Sequence, residues 1–191
     1  MTMLQGKKIC LIPAALTDRA KVYDWCFHSE TTKFHSGPPD YPEKEIPTYE
    51  EFCTAYYEDY FFTGTRPSDG QGFLILNADE AIGYISYSTF HLKPALAELD
   101  IWMNCEVNCG KGFGVDALNV LSDYLNQTIG SKQIIIAPSI KNTWALKAYG
   151  KAGFKKTEKK MSAFLREEYA ALYENGDYGV EETAILTKSF L

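Results

Sequence analysis

Two carboxylates, Glu98 and Asp100, stand two residues apart in the run 97–103, just ahead of a glycine-rich turn, Cys109-Gly110-Lys111-Gly112-Phe113-Gly114. Alternation in that run predicts a strand with Glu98, Asp100 and Trp102 on one face and Leu99, Ile101 and Met103 on the other. A carboxylate delivered to a pocket by a strand can hold an ammonium or accept a proton. The turn offers a different chemistry. Its glycines let backbone come close to a ligand, and Phe113, Ala117, Val120, Leu121, Tyr124 and Leu125 recur behind it at helical spacing. A helix start of this kind aims unpaired N–H groups outward and favours an anion, above all a phosphate or pyrophosphate. A plain strand-to-helix turn is the other reading of the same residues. The turn is not a nucleotide P-loop, because Gly112 follows the lysine where Ser or Thr is needed. Nor is it a dinucleotide fingerprint: the third glycine falls one place early, at Gly114, and residues 130–132, Gly-Ser-Lys, lack the acid expected there.

The next segment adds a second pattern. Residues 133–138 (QIIIAP) are a β-branched run that reads as a buried strand. Asn142 then suits an N-cap and Gly153 a C-terminal stop for the helix between them. In these residues the chain resembles the GNAT superfamily of N-acetyltransferases. That family's acyl-CoA loop reads Gln/Arg-x-x-Gly-x-Gly/Ala, and a later helix carries Asn-x-x-Ala-x-x-x-Tyr-x-x-x-Gly-Phe. Here the first is Cys109 to Gly114, and the second is Asn142, Ala145, Tyr149, Gly153 and Phe154, matched at every position. Cys109 departs from the usual Gln or Arg, which removes a side-chain contact at the pyrophosphate and leaves the backbone cradle. The resemblance covers about 72–156 by motif and pattern, and the flanks by order of elements.

The resemblance implies one α/β (α+β) domain over residues 1–191 with the GNAT fold: a mixed, mostly antiparallel sheet flanked by helices, with acyl-CoA in a cleft where the central strands splay. It implies acetyl-CoA as co-substrate, held by Ile101, Trp102 and Met103 of the strand, by Cys109, Gly110, Lys111, Gly112, Phe113 and Gly114 of the turn, and by Asn142, Ala145 and Lys147 of the later helix. Backbone N–H groups around 102–104 are expected at the thioester carbonyl. Asp100 resembles, by its spacing to the turn, the catalytic aspartate of aminoglycoside 6′-N-acetyltransferases, with Glu98 on the same face as reserve base. Tyr149 falls where the family places a general acid, and a phenol can supply that proton. The nearest likeness in the central part is to that aminoglycoside branch, which implies a primary amine on a cationic small molecule and a link to antibiotic resistance. Transfer to protein N-termini or lysines is the alternative. An acyl-CoA sensor without turnover is another, disfavoured by the presence of both Asp100 and Tyr149.

Composition and order frame these readings. The chain has 191 residues, 14% aromatics and a net charge of −6, which fits an ordinary globular domain and argues against a nucleic-acid partner. Five cysteines without a framework spacing suit reduced thiols in a cytoplasm. The three histidines form no ligand cluster, so no metal is expected. No signal pattern or membrane-length run is present. Residues 8–13 read as a first strand, and Thr17 as the cap of a helix to His28 with Ala20, Tyr23, Cys26 and Phe27 as its stripe. Residues 29–47, with Gly37-Pro38-Pro39 and Tyr41-Pro42, read as a loop. Thr48 and Glu51 match a capping box opening a helix with Phe52, Tyr56 and Tyr60.

From Asp40 to Asp59 seven acids face one base, Lys44, among several tyrosines. This is either an acidic, aromatic wall for a cationic substrate or a solvated helix face. Residues 72–77 and 81–90 read as a hairpin around 78–80, with Gly83 marking a bulge. Residues 154–164 and 182–190 read as final strands, with a helix over 166–174 and a turn at Asn175-Gly176 between them. The tyrosine-rich C-terminal segment suits a homodimer surface. Because a thiol near a helix start loses its proton more easily, Cys109 is expected to be reactive.

Overall fold

Strand residues of this chain bury side chains on both faces, and a computed structural model, which describes residues 3–35, 45–173 and 182–190, shows why. One mixed sheet runs in the order β1-β2-β3-β4-β5-β6-β8-β7. Its strands are β1 (Leu4–Gln5), β2 (Cys10–Pro13), β3 (Gly70–Asn77), β4 (Glu80–Ser88), β5 (Leu96–Met103), β6 (Gln133–Ile136), β7 (Lys155–Lys156) and β8 (Leu186–Ser189). Every pairing is antiparallel except β5 with β6, whose intervening helix makes the parallel crossover.

On one face, Phe73, Ile75, Ile85 and Leu99 pack with Ala117, Leu121 and Leu125 of α5 (Phe113–Tyr124) and its C-terminal extension, and with Tyr149 and Ala152 at α6 (Thr143–Lys151). Their in-between neighbours Leu74, Tyr84 and Trp102 point the other way. They meet Val22 and Cys26 of α1 (Arg19–Phe27) and the aromatic run Tyr60, Phe61 and Phe62. Helices on both faces explain why the strands carry almost no polar alternation.

The hairpin of β3 and β4 turns at Ala78 and Asp79, and Ile82 is the extra residue where the register shifts from Ile75↔Gly83 to Leu76↔Ala81. The bulge therefore lies where Gly83 marked it. The parallel pair is the element that matters for a site. Its register covers only Leu96↔Gln133 to Glu98↔Ile135, yet β5 continues to Met103 while β6 ends at Ile136 and the chain leaves for α6. The sheet splits there, between Asp100 on β5 and the start of α6.

Several elements differ from expectation. Thr17 does not cap α1: a short turn at Leu16–Asp18 precedes it, with Asp18 Oδ2 accepting from Ala15 N (3.0 Å). The buried stripe is Arg19, Val22 and Cys26, and Ala20 faces solvent. The loop after α1 contains a short helix, α2 (Thr32–His35), while Gly37, Asp40, Tyr41, Glu43 and Lys44 lie outside the described residues. The capping box forms as expected at α3 (Tyr49–Glu51): Glu51 N donates to Thr48 Oγ1 (3.2 Å), and Thr48 N to Glu51 Oε2 (2.7 Å). The helix then widens, Tyr57 N reaching Phe52 O across five residues (2.7 Å), and restarts as α4 (Tyr60–Thr63).

The strand expected over 154–164 shrinks to the two residues of β7, because the charged run 155–160 offers nothing to bury. A helix, α7 (Glu167–Tyr173), follows. The turn at Asn175-Gly176 and much of the tyrosine-rich C-terminal segment lie outside the described residues. All five cysteines are free thiols. Among the described residues no helix is long and apolar enough to cross a membrane, and no group of His, Cys, Asp or Glu is placed to hold a metal.

Candidate active site

Asp100 stands exposed on β5, directly across from Ser86 of β4. Its Oδ2 accepts a hydrogen bond from Tyr57 Oη (2.7 Å), which also lies 3.4 Å from Ser86 Oγ. The wide turn after Phe52 is what swings Tyr57 inward. Its ring sits 5.0 Å from those of Phe52 and Phe61, 5.7 Å from Trp102 and 5.8 Å from Tyr84. Burial pushes the Tyr57 phenol well above its ordinary value, and the Asp100 charge adds to this, so the hydroxyl stays a donor. Tyr84 is raised in the same way. Tyr84 leans over Gly72 of β3 so closely that a Cβ there would lie 2.0 Å from its hydroxyl. Glycine at 72 is thus a condition for this aromatic floor.

Tyr149 reaches the same region from the opposite face. It is 9% exposed on α6, and its phenol is raised by burial first and by the Asp100 charge second. The two groups sense each other through the split between β5 and β6. Glu98, two residues before Asp100, is engaged elsewhere: its Oε2 is hydrogen-bonded to Nε2 of His91 (2.7 Å), a side chain only 2% exposed.

The glycine-rich turn forms as its composition requires. Gly110 (φ 72°) and Gly112 (φ 87°) both take the left-handed backbone that other residues resist, and Gly112 caps α5. The first helical bond runs from Asp116 N to Gly112 O (3.0 Å). The N–H groups ahead of it have no intrahelical partner. Phe113 packs on the core, and a Cβ on Gly114 would lie 3.7 Å from Ile101 Cδ1, so turn and strand touch. Lys111 is exposed. The expectation for Cys109 is corrected. Burial raises its thiol, and the neighbouring Cys105 and Glu106 raise it further, outweighing the helix start.

The β5 backbone supplies the other edge. Asn104 N donates to Ile82 O on β4 (3.0 Å). Alternation along an antiparallel strand then turns the N–H and C=O groups of Ile101 and Met103 the other way, into the split. The backbones of Trp102 and Asn104 face β4, so of the donors expected around 102–104 the Met103 N–H alone turns into the split, and Ile101, outside that range, turns the same way. The indole of Trp102 belongs to the aromatic floor.

Asn142 caps α6, its Oδ1 accepting from Ala145 N (3.0 Å), and its Nδ2 donates to Phe34 O of α2. Phe34 stacks on Trp144 (6.0 Å, 18°), an indole that is 62% exposed beside Gly110. At the other end of the segment Thr31 Oγ1 donates to Met103 O, and Lys33 pairs with Glu106. Residues 31–34 therefore bridge the two walls of the split. Lys147 is exposed on α6.

The sequence placed Tyr57 among the tyrosines of the acidic stretch, but neither its contact with Asp100 nor this bridge was expected. Neither has a local signal, because Tyr57 lies 43 residues from Asp100 and Phe34 108 from Asn142. Two acids of the expected wall serve the structure, Glu51 capping its own helix and Asp59 pairing with Arg19, while Asp40 and Glu43 lie outside the described residues.

A family model, described as an acetyltransferase (GNAT) domain, matches residues 8–155. No curated protein matches the sequence. Among solved structures, the chain is similar to aminoglycoside acetyltransferase AAC(6')-Ib in complex with ribostamycin and coenzyme A, at TM-score 0.67 and 17% identity over 96% of this chain and 94% of that one. It is similar to RimL, the ribosomal L7/L12 α-N-protein acetyltransferase in complex with coenzyme A, at TM-score 0.68 and 15% identity over 99% and 98%. An acetyltransferase from Agrobacterium tumefaciens str. C58 matches at TM-score 0.67 and 16% identity over 100% and 95%. With the family model spanning both the glycine-rich turn and the segment from Asn142 to Phe154, the chain belongs to the GNAT acetyltransferase family.

Proposed function

We propose that this acetyl-CoA-dependent N-acetyltransferase acts on a primary amine of a cationic small molecule, of the aminoglycoside or polyamine class. The observation that carries the reading is the carboxylate of Asp100, exposed at the split and held by the Tyr57 hydroxyl over an aromatic floor. A cation gains there from both the carboxylate and the ring faces. An aminoglycoside acceptor would make the chain an antibiotic-resistance enzyme.

The residues present fit acetyl-CoA. Two left-handed glycines at the start of α5 make a cradle that a Cβ would strain, and the strand edge at Ile101 and Met103 turns its backbone groups into the split. When bound there, acetyl-CoA supplies an activated acetyl thioester. The protein's own part is positional and protonic. Asp100 holds the ammonium and takes its proton, leaving the amine nucleophilic. Tyr149 Oη, kept protonated by burial and by Asp100, holds the proton that the leaving sulfur requires. Glu98 is committed to His91, so Asp100 carries the role of base.

The test is thiol release from acetyl-CoA with a panel of aminoglycosides, polyamines and peptides, with product masses measured. Release with the small amines, reduced in Tyr149→Phe, supports the reading. Release with peptides alone moves the enzyme to the protein-modifying branch.

A further inference from the structure

A lysine far from the glycine-rich turn in sequence is built into it in space. Lys8 lies in the tight turn between β1 and β2, closed by Gly6 N to Ile9 O (2.9 Å). Asp116, in the first turn of α5, accepts from the backbone N–H of Lys8 (2.6 Å) and of Ile9 (3.2 Å) through one carboxylate oxygen. Asn77 Nδ2 holds Lys8 O from the end of β3 (3.0 Å). The turn is clamped so closely that a Cβ on Gly6 would lie 2.5 Å from Asp116 Oδ2. These contacts deliver the Lys8 ammonium to the carbonyl of Lys111 (2.9 Å), with Nζ 3.3 Å from where a Cβ on Gly112 would stand.

An ammonium has three donors, and a carbonyl satisfies one. The other two stay available in an exposed group at the amino end of α5, where peptide dipoles and free N–H groups already favour an anion. The Asp116 carboxylate is the adjacent negative charge, and it is met by the two backbone N–H groups of the hairpin. The turn itself supplies no fixed cation: Cys109 is neutral and the Lys111 side chain is exposed. We propose that Lys8 is a phosphate-binding residue of the acetyl-CoA site, a cation contributed by the N-terminal hairpin to a turn that lacks one. The proposal rests on acetyl-CoA as donor and is independent of which amine is acetylated.

The test is calorimetric titration of the whole protein, without acceptor, with CoA and with 3′-dephospho-CoA, for wild type, Lys8→Gln, Lys8→Arg and Lys7→Gln. Lys7 removes the same charge one residue away and has no contact with the turn among the described bonds. Lys8→Gln is expected to weaken CoA binding roughly tenfold and to flatten its dependence on salt, while Lys8→Arg and Lys7→Gln stay near wild type. The same loss with dephospho-CoA assigns the contact to the pyrophosphate, and its disappearance assigns it to the 3′-phosphate. Unchanged binding in Lys8→Gln, or an equal loss in Lys7→Gln, would overturn the proposal. Melting curves separate it from a purely structural role, in which Lys8→Gln would lower stability and leave the affinity of the folded protein unaltered.

Discussion

Replacing Tyr57 with Phe removes one oxygen from the site and leaves the ring where it is. Packing against Phe52, Phe61 and Trp102 is retained, so the melting temperature should change little. What is lost is the 2.7 Å bond that fixes Asp100 Oδ2. A hydrogen bond to a charged group contributes about 1.5–3 kcal/mol when shielded. Asp100 is exposed, so water replaces part of it, and about 1–1.5 kcal/mol is the better figure. That corresponds to a fall of about five- to twelvefold in kcat/KM for the amine, with KM for acetyl-CoA unchanged. The assay is steady-state thiol release, run as a double-mutant cycle with Asp100→Asn. If Tyr57 acts through Asp100, its replacement costs nothing further once Asp100 is gone. An unchanged kcat/KM in Tyr57→Phe, or an equal loss in both backgrounds, would refute the coupling.

Gly72→Ala places a Cβ 2.0 Å from the Tyr84 hydroxyl, and Tyr84 is pinned by Trp102 at 4.9 Å, so denaturant titration should show a loss of about 2–3 kcal/mol. Alkaline pH should destabilise the fold through Tyr57, Tyr84, Tyr87 and Tyr149, all raised chiefly by burial. An unfolded phenol loses its proton near pH ~10 while the folded one keeps it, so the folded state binds more protons above that point. Stability then falls by about 1.4 kcal/mol per pH unit for each such tyrosine. Melting curves from pH 8 to about 11 check this, and a flat profile above ~10 would contradict it. Cys109, half-buried and beside Glu106, should react with a maleimide more slowly than an unhindered model thiol at pH ~8, and faster labelling would restore the reading of a reactive cysteine.

What the sequence made legible was local. The capping box at Thr48, the cap at Asn142, the left-handed turn at Gly110 and Gly112 and the hairpin at 78–80 each rest on residues within a few positions of one another. Face assignment on β5 also held, with Asp100 and Trp102 on one side and Leu99 on the other, because strand alternation is fixed by covalent geometry. Contacts made at a distance had no such signal. Tyr57 reaches Asp100 only because the helix after Phe52 widens, and Lys8 reaches the glycine-rich turn only because Asp116 clamps a distant hairpin. The Cys109 expectation failed for a related reason: the helix start was visible in sequence, whereas the burial that outweighs it was not. Residues 154–164 failed as a strand because the aromatic ends, Phe154 and Phe164, enclose a charged middle that cannot enter a core.

The central claim is that Asp100 is the group that holds and deprotonates the amine. Thiol release from acetyl-CoA, with the best amine of the panel and with Asp100→Asn beside the wild type, tests it most directly when CoA affinity is titrated on the same samples. The account predicts a loss of at least about 100-fold in turnover with CoA affinity unchanged, as removal of a general base requires. A variant that kept turnover within about threefold of wild type would contradict it, since removal of a working base costs far more.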